Sequence, residues 1–231
     1  MWKEVEKQSV TYRIADNEPT IIRIDGKNFS KLTKQYFKQP LDENFSKLML
    51  DTALELIDWL QGTVLIFSQS DEFNVLLYPR RKQSQIAFGG KVQKIISLSA
   101  AKTSVVFTQK LGSEALFDAR IILPRIYAEL SGRPLEDSII DYFKERFFNG
   151  VRNSRNTFAR YYLGPSAMHK KTSKELIKLV KDETGNSWYD LPDIVKYGFV
   201  VYRTDDIYQK IPISVAELEG IVHDVLSYGP L

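Results

Sequence analysis

The sequence predicts an α+β protein with a ferredoxin-like βαββαβ core and a helical C-terminal extension. Strand-like and helix-like segments follow one another in that order between residues 20 and 123. Two strand-like runs end in short acidic motifs, at 25–29 and 70–73. After Pro124 the pattern changes to long helical segments, so we assign 1–130 to the core and 131–231 to an extension within the same globular unit.

The core elements are justified by periodicity and by turn residues. Apolar run 20–25 predicts the first strand, and run 63–68 predicts the second. Between them, apolar residues recur at close to helical spacing over about 41–60, and Gly62 ends that helix. Turn-forming residues at 69–71 then introduce a strand at 72–78, a helix at about 84–110 and a strand at 116–123.

The extension begins with a linker-like stretch between Pro124 and Pro134. A long helix is predicted over about 135–162, ended by Gly164 and the proline after it. Thr172 and Glu175 have the spacing of a capping box, which opens a helix to about 183. Residues 197–203 are typical of a strand.

Composition limits the possible chemistry. The 231 residues are 43% apolar, which is enough for a sizeable core. No apolar run reaches the roughly 18–20 residues that span a bilayer, and residues 1–6 lack the form of a signal peptide. We therefore expect a soluble cytoplasmic protein with no membrane partner. With no cysteine and only two histidines, a bound metal would need oxygen ligands, which suits magnesium.

The two acidic motifs are predicted to meet at one end of the sheet. In a βαββαβ core the first and second strands run in the same direction, so Asp25 and the turn containing Asp71 come together. This is the layout of the palm used by nucleotide polymerases and cyclases. Two such carboxylates could hold one or two divalent ions. The alternative is that each motif is an ordinary solvated turn.

Residues around these motifs could contact phosphate. Gly26 permits a sharp turn, after which the amides of Lys27, Asn28 and Phe29 could point at phosphate oxygens. Lys91 and Lys94 lie on one face of the predicted second helix, where they could bind a triphosphate or simply be solvated.

The segment from 144 to 174 is strongly basic, with interleaved aromatics. It carries eight Lys or Arg and one acid, Glu145; the cations are Lys144, Arg146, Arg152, Arg155, Arg160, Lys170, Lys171 and Lys174. That pattern suits a polyanion with stackable bases. A solvated helix face with its aromatics in the core remains the alternative.

Several motifs together resemble the tRNA-His guanylyltransferase superfamily, and more closely its guanylyltransferase-like 3′–5′ polymerase branch. They span about residues 20–203 in the expected order. They are Arg23-Ile24-Asp25-Gly26-Lys27-Asn28-Phe29, Gln69-Ser70-Asp71-Glu72-Phe73, Phe117-Asp118-Ala119-Arg120, Arg152-Asn153-Ser154, Ala159-Arg160-Tyr161-Tyr162, Leu191-Pro192-Asp193 and Lys196-Tyr197-Gly198.

The resemblance implies a polymerase-like palm that uses two Mg2+ ions, with ATP and GTP or other nucleoside triphosphates as substrates and RNA as partner. The implied catalytic and metal ligands are Asp25, the Gly26 carbonyl and Asp71. The implied nucleotide-binding positions are Lys27, Asn28, Phe29, Ser70, Glu72, Lys91 and Lys94. With the basic segment added, the expected RNA contacts are Arg120, Arg152, Asn153, Ser154, Arg160, His169, Lys170 and Lys171. A homotetramer is expected by resemblance alone.

The chain departs from the classical pattern at several positions. Val151-Arg152-Asn153-Ser154 stands where the classical enzymes carry His-Ile-Asn-Asn, and Asn149 and Gln39 replace the usual Asp and Lys. The difference at 151–154 favours template-dependent repair of tRNA 5′ ends, after ATP activation of a 5′-monophosphate, whereas Asn149 and Gln39 leave a loss of catalysis open. Classical G addition to tRNA-His, a palm-type nucleotide cyclase and a non-catalytic RNA-binding protein are also compatible with the sequence.

Overall fold

The computed structural model describes residues 12–16, 18–78 and 86–228. Residues 1–11, which include the segment judged for a signal peptide, lie outside the described part. The elements are β1 (Thr20–Gly26), α1 (Phe29–Tyr36), α2 (Glu43–Trp59), β2 (Thr63–Gln69), β3 (Glu72–Leu77), α3 (Val92–Leu111), β4 (Phe117–Ile122), α4 (Pro124–Ser131), α5 (Leu135–Leu163), α6 (Ser173–Thr184), α7 (Asp193–Tyr197), β5 (Phe199–Arg203), β6 (Ile207–Lys210) and α8 (Val215–Ser227).

The strands form one antiparallel sheet in the order β4-β1-β3-β2-β5-β6. Strands β1 and β2 each pair antiparallel with β3, so they run in the same direction. The first four strands therefore have the ferredoxin-like arrangement, and the predicted fold class is confirmed. β5 and β6, from the extension, lengthen the sheet on the β2 side.

Both faces of the sheet carry helices, because successive side chains of a strand point to opposite faces. On one face Ile22 and Ile24 join the core formed with α2 and α3. On the other face Ile21 packs with residues of α5, α6 and α8 and with the fully buried Trp188, which follows α6 in the chain. The extension thus supplies the second hydrophobic layer of the sheet.

The structure corrects several sequence-based boundaries. Helix α1 was not predicted, because its two turns begin inside the motif interpreted as a phosphate loop. The stretch interpreted as a linker contains α4, for which Pro124 is a favoured first residue and Gly132 the C-cap. The helix expected from about 84 begins at Val92 after a 3-10 turn, and residues 79–85 lie outside the described part. β6 and α8 were also missed.

Within the described ranges, no helix combines the length and apolar character needed to cross a membrane.

Candidate active site

The end of β1 and the turn between β2 and β3 meet at one end of the sheet, as predicted. The Gly26 amide donates a hydrogen bond to the Asp71 carbonyl at 3.0 Å. In the strand register, Asp25 lies directly opposite Glu72. A Cβ at position 26 would collide with the Phe29 ring, so the sharp turn requires glycine. These contacts bring the two predicted carboxylates, Asp25 and Asp71, to one place.

The β2–β3 turn holds Asp71 by local hydrogen bonding. Gln69 and Glu72 are paired across the hairpin, which leaves Ser70 and Asp71 as a two-residue turn. Ser70 has a left-handed backbone, with φ of 56°, as such turns demand. Its hydroxyl lies 2.9 Å from Asp71 Oδ1 and donates to it. Ser70 therefore orients the carboxylate of Asp71.

Burial raises the pKa of both aspartates. For Asp25, burial is the largest cause, and the negative charge of Glu72 adds to it. For Asp71, burial again raises the pKa, the Ser70 hydrogen bond opposes the rise, and the charge of Asp25 increases it. Both carboxyl groups are thus harder to ionise than a free aspartate, and a divalent cation beside them would favour the charged forms.

The donor set at this place fits magnesium. Mg2+ is commonly held by one or two carboxylates, with waters and substrate phosphates completing its octahedron. Asp25, Asp71 and the Gly26 carbonyl supply only oxygen. In the described part of the chain, no three His, Asp or Glu side chains are placed to form a metal cage. Substrate oxygens would therefore have to complete the coordination.

Helix α1 starts immediately after the glycine turn and directs its N-terminus toward the same region. Asn28 precedes it with a left-handed backbone, φ of 61°, and its side chain makes no capping hydrogen bond. First-turn amides have no partner inside their own helix and attract anions. The Lys27 amide is not available, because it donates to the Leu116 carbonyl at 2.8 Å, but the Lys27 side chain is exposed.

Phe29 has a packing role that the sequence prediction did not include. Its ring is buried, with its centroid 4.8 Å from that of Phe117 and 5.3 Å from that of Phe107. Only the backbone of Phe29 could contact a nucleotide. The ring anchors the start of α1 in the core.

A cleft of about 710 Å³ opens beside Asp71. One wall is α1 with the following loop, and it carries Lys34 and Lys38. The other wall is the second half of α5, with Asn153, Arg160 and the half-exposed Tyr161. Cations on both walls and an exposed aromatic suit a nucleotide or a nucleic acid strand. Lys34 was missed because α1 itself was missed.

Glu72 is occupied by protein contacts, contrary to its predicted nucleotide role. Arg146 of α5 donates two hydrogen bonds to the Glu72 carboxylate, at 2.9 and 2.6 Å. Arg23 Nε lies 3.8 Å from Glu72 Oε2, and the Asn74 amide donates a hydrogen bond to Glu72 Oε1 at 2.9 Å. The Tyr142 hydroxyl donates to Asn74 at 2.7 Å. Glu72 therefore joins the sheet to α5.

The structure does not bring Lys91 and Lys94 to this site within one chain. The start of α3 lies at the opposite end of the sheet, where Gly90 accepts a hydrogen bond from the Ile14 amide. Phe107, near the other end of α3, is the part of that helix that contacts Phe29. Phe107 lies thirteen positions after Lys94 in the same helix, which corresponds to about 20 Å along its axis. The sequence showed that both lysines share a face but not which end of the sheet they occupy.

The predicted RNA-contacting residues of α5 separate into different environments. Asn153 and Arg160 are exposed and line the cleft. Ser154 is buried; its hydroxyl accepts from Trp188 Nε1 at 3.0 Å and donates to the Val195 carbonyl at 3.4 Å. Arg152 is exposed outside the cleft lining and donates to Asn149 at 2.8 Å. Ser154 thus has a structural role that its motif did not reveal.

The remaining predicted contacts are on the surface. His169, Lys170 and Lys171 are exposed between a 3-10 turn and α6. Arg120 is exposed on β4 and pairs with Asp118 at 3.2 Å.

Three cations of the basic segment instead serve packing. Lys144 pairs with Glu219 at 3.1 Å, Arg146 with Glu72, and Arg155 stacks on the Trp188 ring at 4.7 Å. Fewer cations of the 144–174 segment are therefore available to bind RNA than the sequence indicated.

Comparison with known proteins gives consistent relatives. The family model described as "Thg1: tRNAHis guanylyltransferase" matches residues 2–124. The tRNA(His) guanylyltransferase of Saccharomyces cerevisiae is 28% identical over 202 residues, covering 81% of this chain and 83% of the yeast protein. An uncharacterized protein, R259, of Acanthamoeba polyphaga mimivirus is 24% identical over 234 residues, covering 88% of this chain and 77% of the viral one.

Solved structures share the fold. A bacterial tRNA(His) guanylyltransferase (Thg1)-like protein in complex with ATP superposes with a TM-score of 0.82 at 22% identity, covering 97% of each chain. The yeast tRNA(His) guanylyltransferase superposes with a TM-score of 0.74 at 21% identity, covering 95% of this chain and 99% of the yeast chain. At these identities the likeness is one of fold.

Proposed function

Since this chain belongs to the tRNAHis guanylyltransferase family, whose named members are nucleotidyltransferases, we propose that it adds nucleotides to the 5′ end of a tRNA. The observation that carries the proposal is the meeting of Asp25 and Asp71 at one end of the sheet, with a cleft beside Asp71 that has cations on both walls. Relatives in complex with ATP and with GTP support nucleoside triphosphates as substrates.

We propose that Asp25, Asp71 and the Gly26 carbonyl hold Mg2+ during the reaction. When bound, the ion lowers the pKa of an attacking hydroxyl and neutralises charge on the leaving group. Ser70 holds the Asp71 carboxylate in place through its hydrogen bond.

The reaction we propose runs in the 3′–5′ direction in two transfers. First, the RNA 5′-monophosphate attacks the α-phosphorus of ATP, forming a 5′-adenylylated end and releasing pyrophosphate. Then the 3′-hydroxyl of the incoming nucleotide attacks the RNA 5′ phosphorus and releases AMP. In this scheme the first-turn amides of α1 and the cations Lys34, Lys38 and Arg160 orient phosphates, and Tyr161 offers a stacking surface.

Within this activity, the sequence favours repair that follows a template. Val151-Arg152-Asn153-Ser154 replaces the element of the dedicated G-adding enzymes. Base pairing could then select the nucleotide, because a mismatched one would misplace its 3′-hydroxyl, and about 1 Å of error can cost on the order of a hundredfold in rate.

The test supplies a tRNA that lacks its 5′ nucleotide, with Mg2+, ATP and all four labelled nucleotides. The base opposite the missing position is varied, and the new 5′ ends are sequenced. We expect the added base to follow the opposing base, and Asp71→Asn to abolish addition while RNA affinity is kept. Addition of G regardless of the opposing base would replace repair with classical guanylylation.

Two controls distinguish this transferase from a cyclase and from a binding protein. Product formed from nucleotide alone, without RNA, would indicate a cyclase of the same palm class. RNA binding without Mg2+-dependent nucleotide binding would indicate a non-catalytic RNA-binding protein. A homotetrameric assembly and a cytoplasmic location are further proposals; sedimentation analysis and cell fractionation would test them.

A further inference from the structure

The side chain of Gln69, the last residue of β2, is buried although it lies immediately before the turn that contains Asp71. It is 8% exposed, and its Nε2 donates a hydrogen bond to the Lys196 carbonyl of α7 at 2.6 Å. The two residues are 127 positions apart in the chain. The end of β2 is therefore bonded directly to the C-terminal extension.

Two glycines allow the extension to approach this side chain closely. A Cβ on Gly150 of α5 would collide with Gln69 Oε1, so that oxygen occupies the space where any other side chain would begin. A Cβ on Gly198, which follows α7, would collide with the Ser68 carbonyl and would lie 2.9 Å from Gln69 Cβ. The Gln69 side chain is thus confined between α5 and the residues that follow α7.

Lys196, which accepts the hydrogen bond, is itself held in place. Its side chain is buried, and its Nζ donates to the Tyr189 carbonyl at 3.0 Å and pairs with Asp193 at 2.8 Å. The ammonium also lies over two aromatic rings, at 5.4 and 5.9 Å from their centroids. The motifs at 191–193 and 196–198, which supply no group to the metal site, therefore contribute to the attachment of β2.

The position of Gln69 bears on Asp71 through the turn between β2 and β3. Gln69 is paired with Glu72 across the hairpin, and Ser70 between them donates to the Asp71 carboxylate at 2.9 Å. The Asp71 carbonyl accepts the Gly26 amide at 3.0 Å, which joins the turn to the end of β1. A shift of Gln69 would therefore move Asp71 relative to β1.

We propose that Gln69 is a positioning residue, which aligns Asp71 by fixing the β2–β3 turn to the extension. Although Gln69 borders the cleft, its Nε2 is engaged by Lys196 and its Oε1 is buried, so neither atom is presented to a substrate. Misplacement of a catalytic group by about 1 Å can cost on the order of a hundredfold in rate. The effect on catalysis rests on the proposed function, whereas the effect on the turn does not.

The variant Gln69→Met tests this role, because methionine keeps the length of the side chain and removes its hydrogen bond. Gly150→Ala is a second variant, which displaces the Gln69 amide from the α5 side. Thr63→Val is the matched control, since Thr63 begins the same strand, is buried, and donates its hydroxyl to the Leu60 carbonyl at 2.8 Å. Gln69→Met and Thr63→Val each remove one buried hydrogen bond from a side chain to a backbone carbonyl.

Hydrogen exchange of the Gly26 amide, measured by NMR without metal or substrate, reports whether the turn keeps its place beside β1. Its rate is divided by that of an amide in the middle of β1, which corrects for any loss of global stability. We expect this ratio to be about tenfold higher in Gln69→Met and Gly150→Ala than in Thr63→Val, because one buried hydrogen bond shifts a local equilibrium by about that factor.

Steady-state kinetics of nucleotide transfer to tRNA give the second readout. In Gln69→Met, kcat should fall about tenfold or more, because Asp71 is misaligned for the transfer step. The KM for the tRNA should stay unchanged, because Gln69 does not contact the substrate. Thr63→Val should keep both kcat and KM.

An exchange ratio no higher in Gln69→Met than in Thr63→Val would overturn the positioning role. A raised KM with an unchanged ratio would also overturn it and would indicate a direct contact with substrate. A raised ratio with an unchanged kcat would show that the turn moves without consequence for Asp71, and the role would be rejected. Should Gln69→Met fail to fold, Gly150→Ala is judged by the same criteria. If the natural chain transfers no nucleotide, the proposed function fails, and the exchange ratio alone decides the positioning of the turn.

Discussion

The ion pair between Glu72 and Arg146 should couple the sheet to α5 in both stability and activity. Glu72 follows Asp71 directly, and Arg146 lies one turn before the part of α5 that lines the cleft. The perturbation is a double-mutant cycle of Glu72→Gln and Arg146→Met. Arg152→Met is the control on the same helix, because Arg152 is exposed and its only described hydrogen bond is to Asn149.

The expected magnitude follows from burial and geometry. The side chains of Arg146 and Glu72 are 19% and 15% exposed, and they share a bidentate contact. Removing one member of a buried pair costs about 3–5 kcal/mol, because the other charge is left without its partner. Arg23, at 3.8 Å, and the remaining exposure should reduce the loss for Arg146→Met to about 2–3 kcal/mol. The double variant should lose about 1–2 kcal/mol less than the sum of the single losses.

Urea unfolding of the four proteins measures the free energies directly. Single losses that add within about 0.5 kcal/mol would refute the coupling. The control Arg152→Met should stay within about 0.5 kcal/mol of the natural chain. If α5 is displaced by about 1 Å relative to Asp71, transfer by Arg146→Met should fall on the order of a hundredfold under conditions where it remains folded.

Three further predictions concern the site and the basic surface. In the absence of metal, Asp71→Asn should raise the free energy of unfolding at pH values above 3.8, the ordinary Asp pKa. Burial raises the pKa of Asp71 in the folded chain. The stability that the protonated carboxyl contributes is therefore present below pH 3.8 and is lost as the pH rises through the raised folded pKa. Thermal unfolding at pH 3 and pH 8 checks this, and a variant less stable at pH 8 would contradict it. Gly150→Ala should cost about 1–3 kcal/mol in urea unfolding, because its Cβ would collide with the Gln69 amide; an unchanged midpoint would mean that α5 can move away. Arg160→Gln and Lys171→Gln should each lower the slope of log affinity for RNA against log salt concentration by roughly 1. Unchanged slopes would mean that these side chains are solvated and do not contact RNA phosphates.

The core fold could be predicted because its signals are local. Residues 20–25 and 63–68 are apolar enough to indicate buried strands, and Thr172 and Glu175 form the capping box expected from their spacing. The missing elements were short or irregular. Helix α1 has only eight residues and starts inside a turn motif, so periodicity over a longer window could not reveal it.

The roles of single side chains were less predictable, because they depend on which neighbours the fold supplies. Ser154 sits in a polar motif, yet it hydrogen-bonds the buried Trp188. Glu72 follows a metal-ligand candidate, yet it is held by Arg146, 74 residues later. Nothing near either position in the chain indicates these partners.

The sequence by itself determined the strand order and, with it, the meeting of Asp25 and Asp71. In a βαββαβ chain the first helical crossover keeps β1 and β2 in the same direction and the hairpin reverses β3, so the connections dictate which strand ends are shared. Only the tertiary structure decided which cations lie near these two aspartates. Lys34 and Arg160 come to one cleft from helices far apart in the chain, whereas Lys94 is carried to the opposite end of the sheet. Long-range packing sets those distances, and residue type and spacing do not encode them locally.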